Sequence, residues 1–312
     1  MVRSITARTR QFVILASDSS KVPGSFLEVE TNRDRHEALL SEMQRLRGAI
    51  YLKDGAIEPW ELSTDQRHQT PADEGSWHLL ALTEDGEICG CARYREHGAT
   101  DPFSKLSVAA SPLAVSEQWG PLLYSAVSSE MELARSLDFS FVEVGGWALT
   151  DEFRRTPEAI KIALSAYSLA RSLGGCIGIT TATVRHSSAS ILRRIGGQCL
   201  QSGGVEIPSY YDPRYRCQML ILRFDSSAPN PRYAPWVGEL EAILPFVPVI
   251  CAPSLEMCTG DRRGFFQYPL KPRTWPSLNS FEEAAFRGAA KPGSAEVHTW
   301  SLDARQSNRF GD

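Results

Sequence analysis

The chain has 312 residues, of which 42% are hydrophobic and 22% charged. That is close to the average for soluble globular proteins and apolar enough for a sizeable core, which excludes wholesale disorder. Thirty-three Lys and Arg against 37 Asp and Glu leave a net charge of −4, which excludes a general nucleic-acid binder but leaves room for a local basic pocket holding one anionic ligand.

Residues 10–17 (RQFVILAS) predict a first strand. From Thr31 to Leu52, Leu39, Leu40, Met43, Leu46, Ala49 and Ile50 recur at three- and four-residue spacing, which predicts a helix with one buried face. Residues 53–75 hold two prolines and many polar groups and read as a long loop; loops of that length usually have a functional reason or are mobile. SWHLLALT and EICGCARYRE then flank Glu84-Asp85-Gly86-Glu87 as a hairpin. A second helix runs from Pro121 to Leu137, with Leu123, Val127, Met131 and Ala134 as its stripe. Residues 139–150 (FSFVEVGGWALT) form a strand, and its Gly145-Gly146 pair marks a bulge or a close ligand approach. Thr156-Pro157-Glu158 opens the next helix, with Thr as cap and Pro in the first position. Residues 176–184 (CIGITTATV) give a buried strand, Ser187–Ile195 a short helix and residues 216–224 (RCQMLILRF) a last strand. This order of elements predicts an α/β (α+β) fold with a mixed central sheet.

Composition changes near Asp225. Ten of the 19 prolines lie in the last 87 residues, whose nine basic and nine acidic groups cancel. The expected organisation is a body over 1–225 and a Pro-rich C-terminal extension over 226–312, packed on the body, partly disordered, or serving as an arm in a homodimer. Trp236–Leu244 and Glu282–Ala290 are its candidate short helices, the latter with Phe281 and Phe286 available to pack. The run AILPFVPVIC, broken by Pro245 and Pro248, is too short to span a membrane. The N-terminus lacks the apolar core of a secretory signal, and seven cysteines with no CxxC pair fit a reducing, cytoplasmic setting.

Three segments carry candidate chemistry. Arg154 and Arg155 precede a helix N-terminus, where free amides and the helix dipole suit phosphate, although a capped helix with two solvated arginines satisfies the same residues. Glu143 is an isolated acid in an apolar strand: facing inward, burial would raise its pKa and suit it to proton transfer, while pairing with Arg93 would make it structural. Backbone amides near Gly145-Gly146 could donate to a developing oxyanion. Tyr210, Tyr211 and Tyr215 could line an acyl pocket or pack a turn, and His186 could touch substrate or sit on the surface. The six histidines show no paired spacing, so no metal site is expected.

Arg154-Arg155-Thr156-Pro157-Glu158-Ala159 matches the first and last positions of the Arg/Gln-x-x-Gly-x-Gly/Ala segment of the GNAT acyltransferase superfamily. Trp147-Ala148-Leu149 falls where that superfamily pairs a splayed strand with the pantetheine arm, and Arg185-His186-Ser187-Ser188 through Ile195-Gly196-Gly197 resembles its later strand–helix–glycine segment. The likeness covers roughly residues 35–224. LRGAIYLKDG, the long loop, CARYRE and VEVGGWAL are similar to the N-acyl amino acid synthases and acyl-homoserine lactone synthases within it. The resemblance implies a GNAT-like sheet and an N-acyltransferase taking an acyl group from acyl-CoA or acyl carrier protein to a small-molecule amine such as an amino acid, with no prosthetic group. It implies Glu143 as base, Trp147, Ala148 and Leu149 as the thioester-arm strand, and Arg154, Arg155, Thr156 and Ala159 as the phosphate loop. The chain departs from the pattern at Pro157, which has no amide hydrogen, at Leu192, where a tyrosine is usual, and at Gly145-Gly146, which replaces a Ser-Arg. The first two departures support a second reading, a catalytically inactive acyl-CoA-binding or regulatory module.

Overall fold

The structure, a computed structural model, describes residues 11–18, 21–154 and 156–252. In chain order the elements are β1 (Gln11–Leu15), β2 (Val29–Thr31), α1 (Arg33–Lys53), β3 (Trp77–Leu82), β4 (Ile88–His97), α2 (Gly120–Ser136), β5 (Ser140–Leu149), α3 (Pro157–Ser172), β6 (Cys176–Thr183) and α4 (Ser188–Ile195). There follow β7 (Gln198–Cys199), β8 (Gln201–Ser202), β9 (Val205–Glu206), β10 (Tyr210–Asp212), β11 (Cys217–Asp225), α5 (Ala234–Ile243) and β12 (Val249–Cys251). The large sheet runs β10-β11-β6-β5-β4-β3-β1-β12-β2, with β7 on β11. It is mixed, as the element order predicts, and parallel at β5–β6, β1–β12 and β12–β2.

Side chains alternate across each strand, so each face has its own helices. Val13, Leu15, Leu80 and Leu82 pack under α1, and Phe141, Ile177, Ile179 and Ile221 pack with Leu123 and Val127 of α2. On the opposite face α4 covers Ala182 and Leu222. A Cβ on Gly90 would come within 2.5 Å of the Ile162 Cδ1 on α3, so the bare glycine lets that helix lie close against β4.

The break in composition at Asp225 is not a break in the fold. α5 lies on α3, where the Ser168 hydroxyl donates to the Val237 carbonyl (3.0 Å) and Arg171 pairs with Glu241 (3.2 Å). The chain then enters the sheet: β12 pairs in parallel with β1 through Ile14↔Val249 and with β2 through Val249↔Val29. β2 and β12, three residues each, are too short for any periodic signal, and the prolines that break up AILPFVPVIC both lie just before a strand. Glu282–Ala290 lies outside the described residues. No helix among the described residues is long and apolar enough to cross a membrane.

Val249 and Ile250 are completely buried, so Ile250→Ala in the full chain is expected to cost about 2–5 kcal/mol in urea unfolding. A loss under about 1 kcal/mol would mean that this segment is only a surface appendage.

Candidate active site

β5 and β6 pair from Ser140↔Cys176 to Glu143↔Ile179 and then part. β5 continues along β4 to Leu149 and β6 continues along β11 to Thr183, so two strand edges within the sheet face each other without a ladder between them. The parting coincides with a bulge. Arg93 stands opposite Gly145 and Cys91 opposite Ala148, leaving Gly146 and Trp147 both opposite Ala92. The added residue bends β5. Gly146 has φ +61°, which a side chain tolerates poorly, and a Cβ there would lie 3.1 Å from the Arg93 Cβ. This is the splayed strand that the GNAT resemblance implies.

A cleft of about 840 Å³ fills the gap. Trp147, Ala148 and Leu149 form one wall, and Thr180 to Thr183 of β6 form the other. Val108, Ile179, Leu192, Tyr210 and Met219 line its apolar part. Seven of the lining side chains are Arg or Lys and three are Asp or Glu, so the cleft is cationic in a chain whose net charge is −4.

Glu143 borders the cleft and is 8% exposed. Its Oε2 accepts from His97 Nε2 (3.0 Å) and from the Ser107 amide (2.9 Å) and hydroxyl (3.1 Å), while Oε1 accepts from the Val108 amide (3.2 Å). Burial pushes its pKa up, as the sequence reading expected, but the His97 bond and the two amides outweigh burial and hold it below the ordinary value. That expectation is therefore corrected. Arg93 is not its partner either.

Arg93 belongs to a second cluster, built by the long loop. Arg47 of α1 is 1% exposed and grips Asp73 through both terminal nitrogens (2.8 and 2.6 Å). Gln44 and the Thr70 amide donate to the same carboxylate (3.1 and 3.0 Å). Arg93 bonds the Thr70 hydroxyl (2.9 Å) and reaches Asp73 Oδ1 at 3.4 Å. Burial alone would raise the Asp73 carboxyl, but Arg47 drives it well below the carboxylate range. Two guanidiniums share one carboxylate, and both line the cleft. Burial holds His78 neutral, with its pKa lowered to about 4, and its Nε2 bonds the Asp73 carbonyl (2.9 Å). His68 is likewise lowered to about 4, by burial first and then by the Arg47 charge.

The predicted phosphate loop is largely engaged within the chain. Arg154 pairs with Asp54, Thr156 caps α3, and Ala159 borders the cleft. Arg155 lies outside the described residues, as does the side chain of His186. Tyr210 and Tyr215 line the cleft, whereas Tyr211 is exposed.

The sequence reading did not single out Arg47, Asp73 or His97. Arg47 had a signal, a charge beside the Met43–Leu46–Ile50 stripe. The buried face of α1 is turned toward it: Ala49, expected inside, is exposed, while Arg47 and Gly48 are buried. Gly48 has no room for a side chain, since a Cβ would meet Leu62 at 2.9 Å and the Gln66 carbonyl at 3.0 Å.

No protein-family model matches the sequence, and no curated protein matches it. Solved structures do match at low identity. A CoA-dependent acyl-homoserine lactone synthase, BjaI, with SAM and isopentyl-CoA is 12% identical with a TM-score of 0.48, covering 79% of this chain and 96% of that one. FeeM, an N-acyl amino acid synthase from uncultured soil microbes, is 11% identical with a TM-score of 0.41, covering 70% and 95%. An agmatine N-acetyltransferase mutant is 14% identical with a TM-score of 0.39, covering 69% and 99%.

Two measurements follow from this geometry. Gly146→Ala is expected to cost about 1–3 kcal/mol by thermal or urea unfolding, whereas Gly145→Ala, whose nearest contact would be Arg93 Nη2 at 3.7 Å, costs less than about 1 kcal/mol. His78 takes its proton near pH 6.5 when unfolded but only near pH 4 when folded. The unfolded chain therefore gains protons first as pH falls, and stability drops between those values by roughly 3 kcal/mol for this residue. His68 contributes in the same window, so His78→Gln is expected to remove about half of the histidine part of the slope of stability against pH, read between about pH 6.5 and 5 before the carboxylates take over.

Proposed function

We propose that the protein is a GNAT-like N-acyltransferase that moves an acyl group from a pantetheine thioester to an amine. The parting of β5 from β6 carries this reading, because unpaired strand edges bounding a cleft suit an extended, amide-bearing arm that completes the ladder. Trp147, Ala148 and Leu149 offer that edge. The apolar part around Ile179 and Met219 suits the acyl chain. The surplus positive charge where Arg47 and Arg93 share Asp73 suits an acceptor bearing a carboxylate, so the acceptor is read as an amino acid or a close relative.

An ammonium acceptor loses two protons as its nitrogen bonds the acyl carbon and the C–S bond breaks. One proton ends on the thiol sulfur and the other leaves with a base. Glu143 borders the cleft and is ionised at neutral pH, ready to take that proton directly or through a water. Its amide neighbours Gly145 and Gly146 lie beside the place where negative charge grows on the thioester oxygen.

A second reading has a specific observation behind it. A carboxylate held by four donors is a weak base, and Leu192 presents no phenol where the resemblance implies one, both of which favour a module that binds donor without turnover. Thiol release with a panel of acyl donors and amino acids separates the two readings. Glu143→Gln is expected to lower kcat by about 100- to 10,000-fold with little change in donor affinity. Donor binding by calorimetry with no thiol release from the unmodified protein would leave the module and sink the enzyme.

A further inference from the structure

The start of α3 has the sequence of a phosphate-binding turn but few donors left to give. The Phe153 and Arg154 amides both donate to the Thr150 carbonyl (3.0 and 3.1 Å), and the Thr156 amide donates to the Phe153 carbonyl (3.1 Å). The Glu158 amide is capped by the Thr156 hydroxyl oxygen (3.3 Å), the Ala159 amide donates to the Thr156 carbonyl (3.3 Å), and Pro157 has no N–H. The Thr156 hydroxyl hydrogen goes to the Phe153 carbonyl (2.8 Å). Among the described residues from 153 to 159, every main-chain N–H is spoken for.

The side chains are committed too. Arg154 makes two bonds to Asp54 (2.9 and 2.5 Å) and a third to the Leu149 carbonyl (3.2 Å). Glu158, only 9% exposed, brings its own carboxylate into the first turn. One oxygen pairs with Lys161 (2.7 Å), while the buried Oε2 has no donor. The positive end of the helix dipole thus already faces an anion, one that is itself short of hydrogen bonds. A diphosphate placed here would meet a like charge and few free amides. The β5 edge a few residues earlier, from Val144 to Ala148, lines the cleft.

We propose that the acyl donor of this cleft is a pantetheine thioester whose phosphate is joined to a carrier protein, not to a nucleotide diphosphate, because Glu158 and the Arg154–Asp54 pair occupy the start of α3. This rests on the donor reading above and narrows it. The arm lies between β5 and β6, its terminal phosphate leaves the cleft without entering the first turn of α3, and no part of the chain is asked to hold an adenine nucleotide.

Calorimetry on the full chain with coenzyme A and with 4′-phosphopantetheine tests it. The two are expected to bind within about threefold of each other, because the nucleotide adds no contact. Glu158→Gln with Asp54→Asn, which removes the built-in anion and frees Arg154, is expected to tighten coenzyme A by about tenfold or more and leave 4′-phosphopantetheine unchanged. Glu158→Gln alone serves if the double variant unfolds. Single-turnover thiol release should be at least about tenfold faster from an acyl carrier protein than from the matched acyl-CoA. Coenzyme A binding about tenfold or more tighter than 4′-phosphopantetheine, and displaced by adenosine 3′,5′-diphosphate, overturns this inference alone. Binding of neither ligand sinks the donor reading of the cleft and this inference with it.

Discussion

After Glu143 and Ile179 the hydrogen-bond ladder between two neighbouring parallel strands stops. Backbone amides and carbonyls rarely go unpaired inside a protein, because losing water without a partner costs on the order of 1–3 kcal/mol per group. Here the bulge at Gly146 and Trp147 turns β5 away while β4 still holds its other edge, so the parting is fixed by the sheet itself. The cleft lies where those edges part, and Arg154 reaches one of the carbonyls left there, that of Leu149. The glycine pair shapes the bulge, and the loop folded beside it brings Asp73 to two of the arginines that set the charge.

The charge is set at a cost. Arg47 and Asp73 are each 1% exposed, and taking two such groups out of water offsets most of what their attraction returns. Removing either one would strand the other. The arrangement makes sense as positioning: one carboxylate, tied by Gln44, Thr70 and Arg47, holds the Arg93 guanidinium at the edge of the cleft. Glu143 is held in the same manner by His97 and by the turn at Ser107–Val108. Both clusters join residues distant in sequence, so each locks a loop to the sheet as well as orienting a charge.

Local signals carried much of the fold. The Asp85-Gly86 turn, with φ +85° at the glycine, joins β3 and β4 where the sequence places it. The Thr156 cap and Pro157 begin α3 as written, and Gly145-Gly146 marks the bulge. Each depends on one residue's backbone preference or on a repeat within a dozen positions. β12 could not be read this way. Three residues between prolines have no periodicity, and only the open edges of β1 and β2 make them a strand.

The candidate site divides along the same line. The linear order of residues already shows the chemistry on offer: an isolated acid at 143, a glycine pair beside it, arginines before a helix, and a long polar loop. How those groups are used depends on contacts made across the folded chain. Burial alone would have made Glu143 a strong base, and four donors from β4 and the 107–108 turn reverse the shift. Free arginines would have invited a diphosphate, and Asp54, a hundred residues earlier, claims Arg154. A pKa or an ion pair depends on what lies within a few ångströms, and for these residues the neighbours come from elements remote in the chain.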